Sequence, residues 1–115
     1  MTRHRMPTAH RRLYAQEMAA ARATADPEAA WRHLERAHIV SQPWAWPHTR
    51  NHAAMLAFAL RQRDRREALG QLLRLAVAAP GSLTGRYPEG NTGRATVGLT
   101  QPMPIPTDLA AALLP

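Results

Sequence analysis

The chain has 115 residues and a formal charge of +7, enough for one domain with a modest core and a surface that favours anions at long range. It has no cysteine, which excludes disulfides, thiolate metal sites and thiol nucleophiles. All fifteen basic residues are arginine, scattered over the chain instead of gathered on one face with aromatics, so nucleic acid is not an expected partner.

Four helices are predicted in chain order. The first covers about 8–24, opened by Pro7-Thr8 and rich in alanine. Asp26-Pro27-Glu28 starts the second with a capping Asp, a Pro in the first helical position and an acid in the first turn. That helix runs to about Val40 and ends at Ser41-Gln42-Pro43, because the residue before a proline is pushed out of the helical region. The third begins near Trp46-Pro47 and continues to about Gln62. Asp64 caps the fourth, which is expected to end before Pro80-Gly81. Five glycines between Gly81 and Gly98 then break any helix. Gln101-Pro102-Met103-Pro104-Ile105-Pro106 reads as extended, and Thr107-Asp108 starts a short helix through Leu114.

A shift of 38 residues places Asp26 on Asp64, Ala30 on Ala68, Leu34 on Leu72 and Met18 on Leu56. Two helical hairpins of this period resemble tetratricopeptide-type repeats in architecture. The expected fold is therefore all-α: two antiparallel hairpins with an irregular Gly/Pro-rich tail and a short terminal helix. Residues 1–7 are expected to be a flexible basic N-terminus, 8–80 the hairpin domain, and 81–115 a strap anchored by Met103, Ile105, Leu109 and Leu113. There is no run of about 18 apolar residues, so no membrane span is expected. The basic start is not followed by the apolar stretch of a secretory signal, which makes the cytoplasm the expected compartment.

The repeat also shows which residues are out of place. Glu17 aligns with Met55, Glu35 with Leu73, His38 with Ala76, His52 with Tyr14, and His48 with His10. Carboxylates and imidazoles on a core face are costly unless paired, hydrogen-bonded or metal-bound. Antiparallel packing of successive helices places the end of the second beside the starts of the first and third, so these residues are expected at one end of the bundle.

Two spacings match metal chemistry. Glu35-Arg36-Ala37-His38 is a Glu-x-x-His pair one helical turn apart. His48 and His52 sit at i and i+4, about 6 Å apart along the axis, able to chelate one ion. Imidazole and carboxylate without sulfur suit Zn, Ni, Cu, Co or Fe as a divalent transition metal. The expected ligands are His38, His48 and His52, with Glu17 or Glu35 completing the shell, and His10 and Tyr14 orienting them from outside it. The competing reading is a buried ion-paired network, with Arg12, Arg36 or Arg50 neutralising Glu17 and Glu35. His4 and His33 are peripheral in either case. Trp31, Trp44 and Trp46 are expected to pack in the core or wall the site. No nucleophile motif, phosphate loop or cofactor fingerprint points to an enzyme.

The stretches 27–38, Trp46-Pro47-His48-Thr49-Arg50-Asn51-His52, Pro80-Gly81-Ser82, Gly90-Asn91-Thr92-Gly93 and 102–106 together resemble a family of small bacterial proteins, domain-of-unknown-function family 3703. The resemblance spans about residues 8–113 and implies a helical-hairpin fold with the same His and Glu positions. It brings no established activity. Two functions are therefore carried forward: a non-catalytic metal-binding protein, and a tetratricopeptide-like adaptor for another protein in which the His/Glu cluster is structural.

Overall fold

The computed structural model describes residues 5–114; His4 and the first residues of the expected flexible N-terminus lie outside them. Four main helices and one short one make up the regular structure: α1 Thr8–Ala23, α2 Pro27–Ser41, α3 Ala45–Arg61, α4 Arg65–Thr84 and α5 Thr107–Ala112. No strand occurs among the described residues, and no helix there is long and apolar enough to cross a membrane.

The helix starts follow local chemistry. The Asp26 carboxylate accepts from the Glu28 N–H at 3.2 Å, with Pro27 in the first turn where its missing N–H costs nothing. The Asp64 carboxylate accepts from the Glu67 N–H at 3.0 Å. Short connections then fold α1 on α2 and α3 on α4, while the α2–α3 packing that joins the two pairs is thinner.

The fourth helix differs from its expected end. It passes through Pro80 and stops at Thr84, four residues later. Gly85 ends it in the left-handed conformation at φ 72°. The Arg86 N–H bonds the Gly81 carbonyl at 2.8 Å and the Gly85 N–H bonds the Ser82 carbonyl at 3.2 Å, the paired closure of a Schellman motif. Buried Ser82 donates to the Gln42 carbonyl at 2.5 Å, a tertiary bond that helps hold the extra turn against the proline's penalty.

α4 also reverses the usual polarity of a packed helix. Its buried positions are Glu67, Ala68, Gln71, Arg74, Ala78 and Ser82, whereas Leu69, Leu72, Leu73, Val77 and Leu83 are exposed. The 38-residue repeat thus pairs buried Leu34 with exposed Leu72. The repeat buries Ala30 and Ala68 alike, but not Leu34 and Leu72.

The apolar core lies between the first hairpin and the chain ends. Met6, Tyr14, Ala37, Ile39, Val40 and Leu109 form one buried cluster, with Ile105 and Leu113 packed against it. Met6, just before α1, thus packs in the core. Arg36 ties the same region together, reaching Asp108 of α5 at 2.6 Å and Glu17 of α1 at 3.0 Å. Leu109→Ala is expected to lower the unfolding free energy by about 2–5 kcal/mol, the range for truncating a fully buried leucine. Urea denaturation measures it, and a loss under about 1 kcal/mol would mean that α5 does not anchor the tail.

Candidate metal centre

Three of the expected residues meet. His38 comes from the last turns of α2, and His48 and His52 from the first turns of α3. Their side chains are 2–6% exposed, and the three Nε2 atoms form a triangle with every edge 3.1 Å. No other group of three His, Asp or Glu side chains with this convergence occurs among the described residues.

The outer nitrogens decide what the inner ones are. His38 Nδ1 is 2.7 Å from the Asn91 backbone carbonyl, which can only accept, so Nδ1 carries the proton. His52 Nδ1 is 2.7 Å from Gln71 Oε1. The Gln71 amide nitrogen donates to Glu67 at 2.8 Å and to the Gly93 carbonyl at 2.9 Å, so Oε1 is the accepting end and His52 Nδ1 also donates. His48 Nδ1 is 2.8 Å from Ser82 Oγ, whose own proton goes to the Gln42 carbonyl. Ser82 accepts there, and His48 Nδ1 is the third donor. A neutral imidazole has one N–H. All three Nε2 atoms therefore present bare lone pairs to one another, with no hydrogen between them.

Three convergent lone pairs repel unless a cation lies among them. Protons are a poor candidate near neutrality. Burial, followed by the charges of His52 and His48, pushes His38 well below its ordinary range. Burial likewise pushes His48 down to about 3 and His52 to about 4. A metal ion fits the triangle. The three Nε2 atoms would hold one ion and leave it a position for a further ligand. All three histidines line a cavity of about 680 Å³, which has room for a further ligand.

The tail closes the site. Gly93 lies flat against the His38 ring at φ 84°, and a Cβ there would come within 2.6 Å of ring carbon Cδ2. The Asn91 side chain holds this loop, donating to the Gly98 and Gln101 carbonyls at 3.0 and 2.7 Å and accepting from the Gly93 N–H at 2.8 Å.

The carboxylates are elsewhere. Glu17, expected as a ligand, is bound by His33 at 2.7 Å and Arg36 at 3.0 Å. Glu35 is bound by Arg94 at 3.0 Å and communicates with His52 only through Arg94, Glu67 and Gln71. Burial raises the Glu35 carboxyl, against the opposing pull of Arg94. In both cases a guanidinium supplies the charge that a metal was expected to supply. Arg36 was among the expected partners; Arg94, which also stacks 3.7 Å from the Trp31 ring centre, was not. His10 packs edge-on against Trp44, and the Tyr14 hydroxyl donates to the Pro47 carbonyl at 3.0 Å, so neither orients a cluster imidazole. Trp46 is 75% exposed, not a wall of the site. The groups that do orient the imidazoles are Asn91, Ser82 and Gln71. Gln71 and Ser82 lie with Glu67 and Arg74 at helical spacing on the buried face of α4, and Asn91 lies in the Gly90-Asn91-Thr92-Gly93 turns of the tail.

The description "Protein of unknown function (DUF3703)" matches residues 8–113. The chain belongs to this family. No curated protein and no solved structure matches it.

Two predictions follow from the geometry. Without metal, the folded chain refuses protons that the unfolded chain accepts once the pH is below 6.5. Metal-free stability is therefore highest above pH 6.5 and falls as pH drops, towards 4 for His52 and towards 3 for His48. At pH 5 the loss is about 2 kcal/mol for each of His48 and His52, read from urea titrations of chelator-treated protein. Substituting those two histidines with alanine should flatten that dependence. Separately, Gln71→Met removes the acceptor that fixes the His52 ring, and should weaken binding of any ion at the triangle by about 10- to 100-fold. Glu17→Gln should leave that affinity unchanged, as measured by chelator competition.

Proposed function

We propose that the protein binds one divalent transition-metal ion through Nε2 of His38, His48 and His52, as a non-catalytic buffer, carrier or sensor accessory. One observation carries this reading: each Nδ1 donates to an acceptor, which turns three lone pairs onto a single point. A structural polar network would instead be built so that each nitrogen meets a hydrogen. Three imidazoles without sulfur or carboxylate suit Zn, Co, Ni or Cu(II), with Fe less favoured for want of a carboxylate ligand.

A second reading has an observation of its own. α4 leaves Leu69 at 68% and Leu83 at 73% exposure, with Leu72 and Leu73 beside Leu69, and such a face favours a helical-hairpin adaptor for another protein. The two readings use different surfaces. His38→Ala with His52→Ala removes metal and spares partner capture, whereas glutamine at Leu69 and Leu72 does the reverse.

The deciding experiment is elemental analysis of untagged protein purified without chelator, followed by competition with Zn, Cu, Ni and Co. One ion per chain is expected, lost in the His38→Ala, His52→Ala variant. No retained metal and no binding tighter than about 10 μM, equivalent to about −7 kcal/mol, would overturn the metal reading.

A further inference from the structure

The charge at the triangle is unbalanced on the metal reading. Three neutral imidazoles contribute no negative charge to a divalent ion, and Glu17 and Glu35 are held by arginines. Glu67, the next carboxylate, is occupied by Arg94, by Gln71 and by the Ala95 N–H. A divalent ion held by three neutral imidazoles would keep its full charge, and an anion entering the cavity would offset it.

A second cation faces the same space. Arg74 is 8% exposed and lines the cavity with His38, His48 and His52. Its guanidinium donates to the Gly70 carbonyl at 3.1 Å and the Val97 carbonyl at 2.9 Å, both neutral. That uses two of five N–H donors. Among the described residues no carboxylate forms an ion pair with it, although each of the other buried or half-buried guanidiniums near the site, Arg36 and Arg94, has two. The charge of Arg74 is felt at His38 and His52, where it opposes protonation. Glu67 is the carboxylate whose charge reaches Arg74, but it makes no ion pair with it and is itself held by Arg94. A buried guanidinium with no carboxylate in contact, lining the same cavity as the three imidazoles, marks one end of an anion site whose other end would be the bound ion.

The size and walls of the cavity say what kind of anion. About 680 Å³ is the volume of a small-molecule pocket and far exceeds a hydroxide or a simple inorganic ion. Val77, Ala78, Pro80 and Leu99 contribute apolar walls. Resting on the metal reading above, we propose that this cavity binds an organic monocarboxylate, its carboxylate shared between the open metal position and Arg74, its apolar body against Val77, Ala78, Pro80 and Leu99.

The test uses the full chain loaded with Co(II), whose visible absorption reports its coordination. Acetate, butanoate, hexanoate and benzoate are titrated in turn, with phosphate and chloride as comparisons. The expected result is a saturable spectral change, with affinity rising at least about tenfold from acetate to hexanoate. Arg74→Met should bind Co(II) at unchanged stoichiometry and lose about tenfold or more in hexanoate affinity, and Arg74→Lys should recover part of it. A Co(II) spectrum unmoved by about 10 mM of any carboxylate, or phosphate binding as tightly as hexanoate, overturns the carboxylate site while leaving the metal reading intact. The chain-length series on the unaltered protein decides the matter even where Arg74→Met does not fold. Where Co(II) does not load, the same carboxylate series is read as displacement of a chelator from the Zn form, and failure to load any of Co, Zn, Ni and Cu sinks both readings.

Discussion

Three imidazole nitrogens held 3.1 Å apart with their lone pairs converging is an arrangement that a protein does not reach by packing alone. Each ring has to be turned and kept in one tautomer, and here each is held by a different part of the chain. The Asn91 carbonyl of the tail fixes His38, while Gln71 and Ser82, separated by three turns of α4, fix His52 and His48. Those fixing groups are fixed in turn: Gln71 by Glu67 and Gly93, Ser82 by Gln42, and Asn91 by Gly98 and Gln101. The inversion of α4 follows from this. A helix whose buried face must supply an amide, a hydroxyl and a guanidinium has no room on that face for its leucines, and they are left outside.

The arginines explain why the site holds imidazoles only. A buried carboxylate is stable next to a metal or next to a guanidinium, and in an arginine-rich chain the second is close at hand. Arg36 takes Glu17 and Asp108, thereby joining α1, α2 and α5, and Arg94 takes Glu35 and Glu67, thereby joining the tail to α2 and α4. These pairs are structural ties. They also withdraw negative charge from the vicinity of the triangle, which is why an exogenous anion becomes the natural complement to any cation bound there.

Much of this was legible in the sequence, for identifiable reasons. Helix starts are local: Asp26 and Asp64 cap within three residues, and both were readable. The alternation of His48 and His52 at i, i+4 and the placement of His38 on the apolar stripe of α2 follow from helical periodicity and short connections, so their meeting was readable as well. The end of α4 was not, because a proline normally stops a helix and only the tertiary bond of Ser82 together with the Gly85 closure carries the chain past it. The carboxylates were misplaced for a related reason. Periodicity puts Glu17 and Glu35 near the polar end, but a turn of about 100° per residue does not say which of several arginines will reach them. Arg94 comes from an irregular segment, 59 positions from Glu35, and no periodic pattern points to it. The partners that orient the imidazoles are similarly remote, with separations of 19 to 53 positions.

The placement of the triangle within the fold has a mechanical meaning. The two hairpins are each well packed internally, and the contact between α2 and α3 that joins them is thinner than the packing within either. His38 stands on one side of that joint and His48 and His52 on the other. An ion at their centre would therefore cross-link the hairpins at their joint, and would do so once the tail has docked to present Asn91 and Gly93. Metal binding and tail docking would then be linked, because the Asn91 carbonyl that orients His38 belongs to the tail. In the metal-free chain the three facing lone pairs and the joint between the hairpins coincide. That coincidence makes the hairpin joint, more than either hairpin, the part of the molecule whose stability a bound cation would govern.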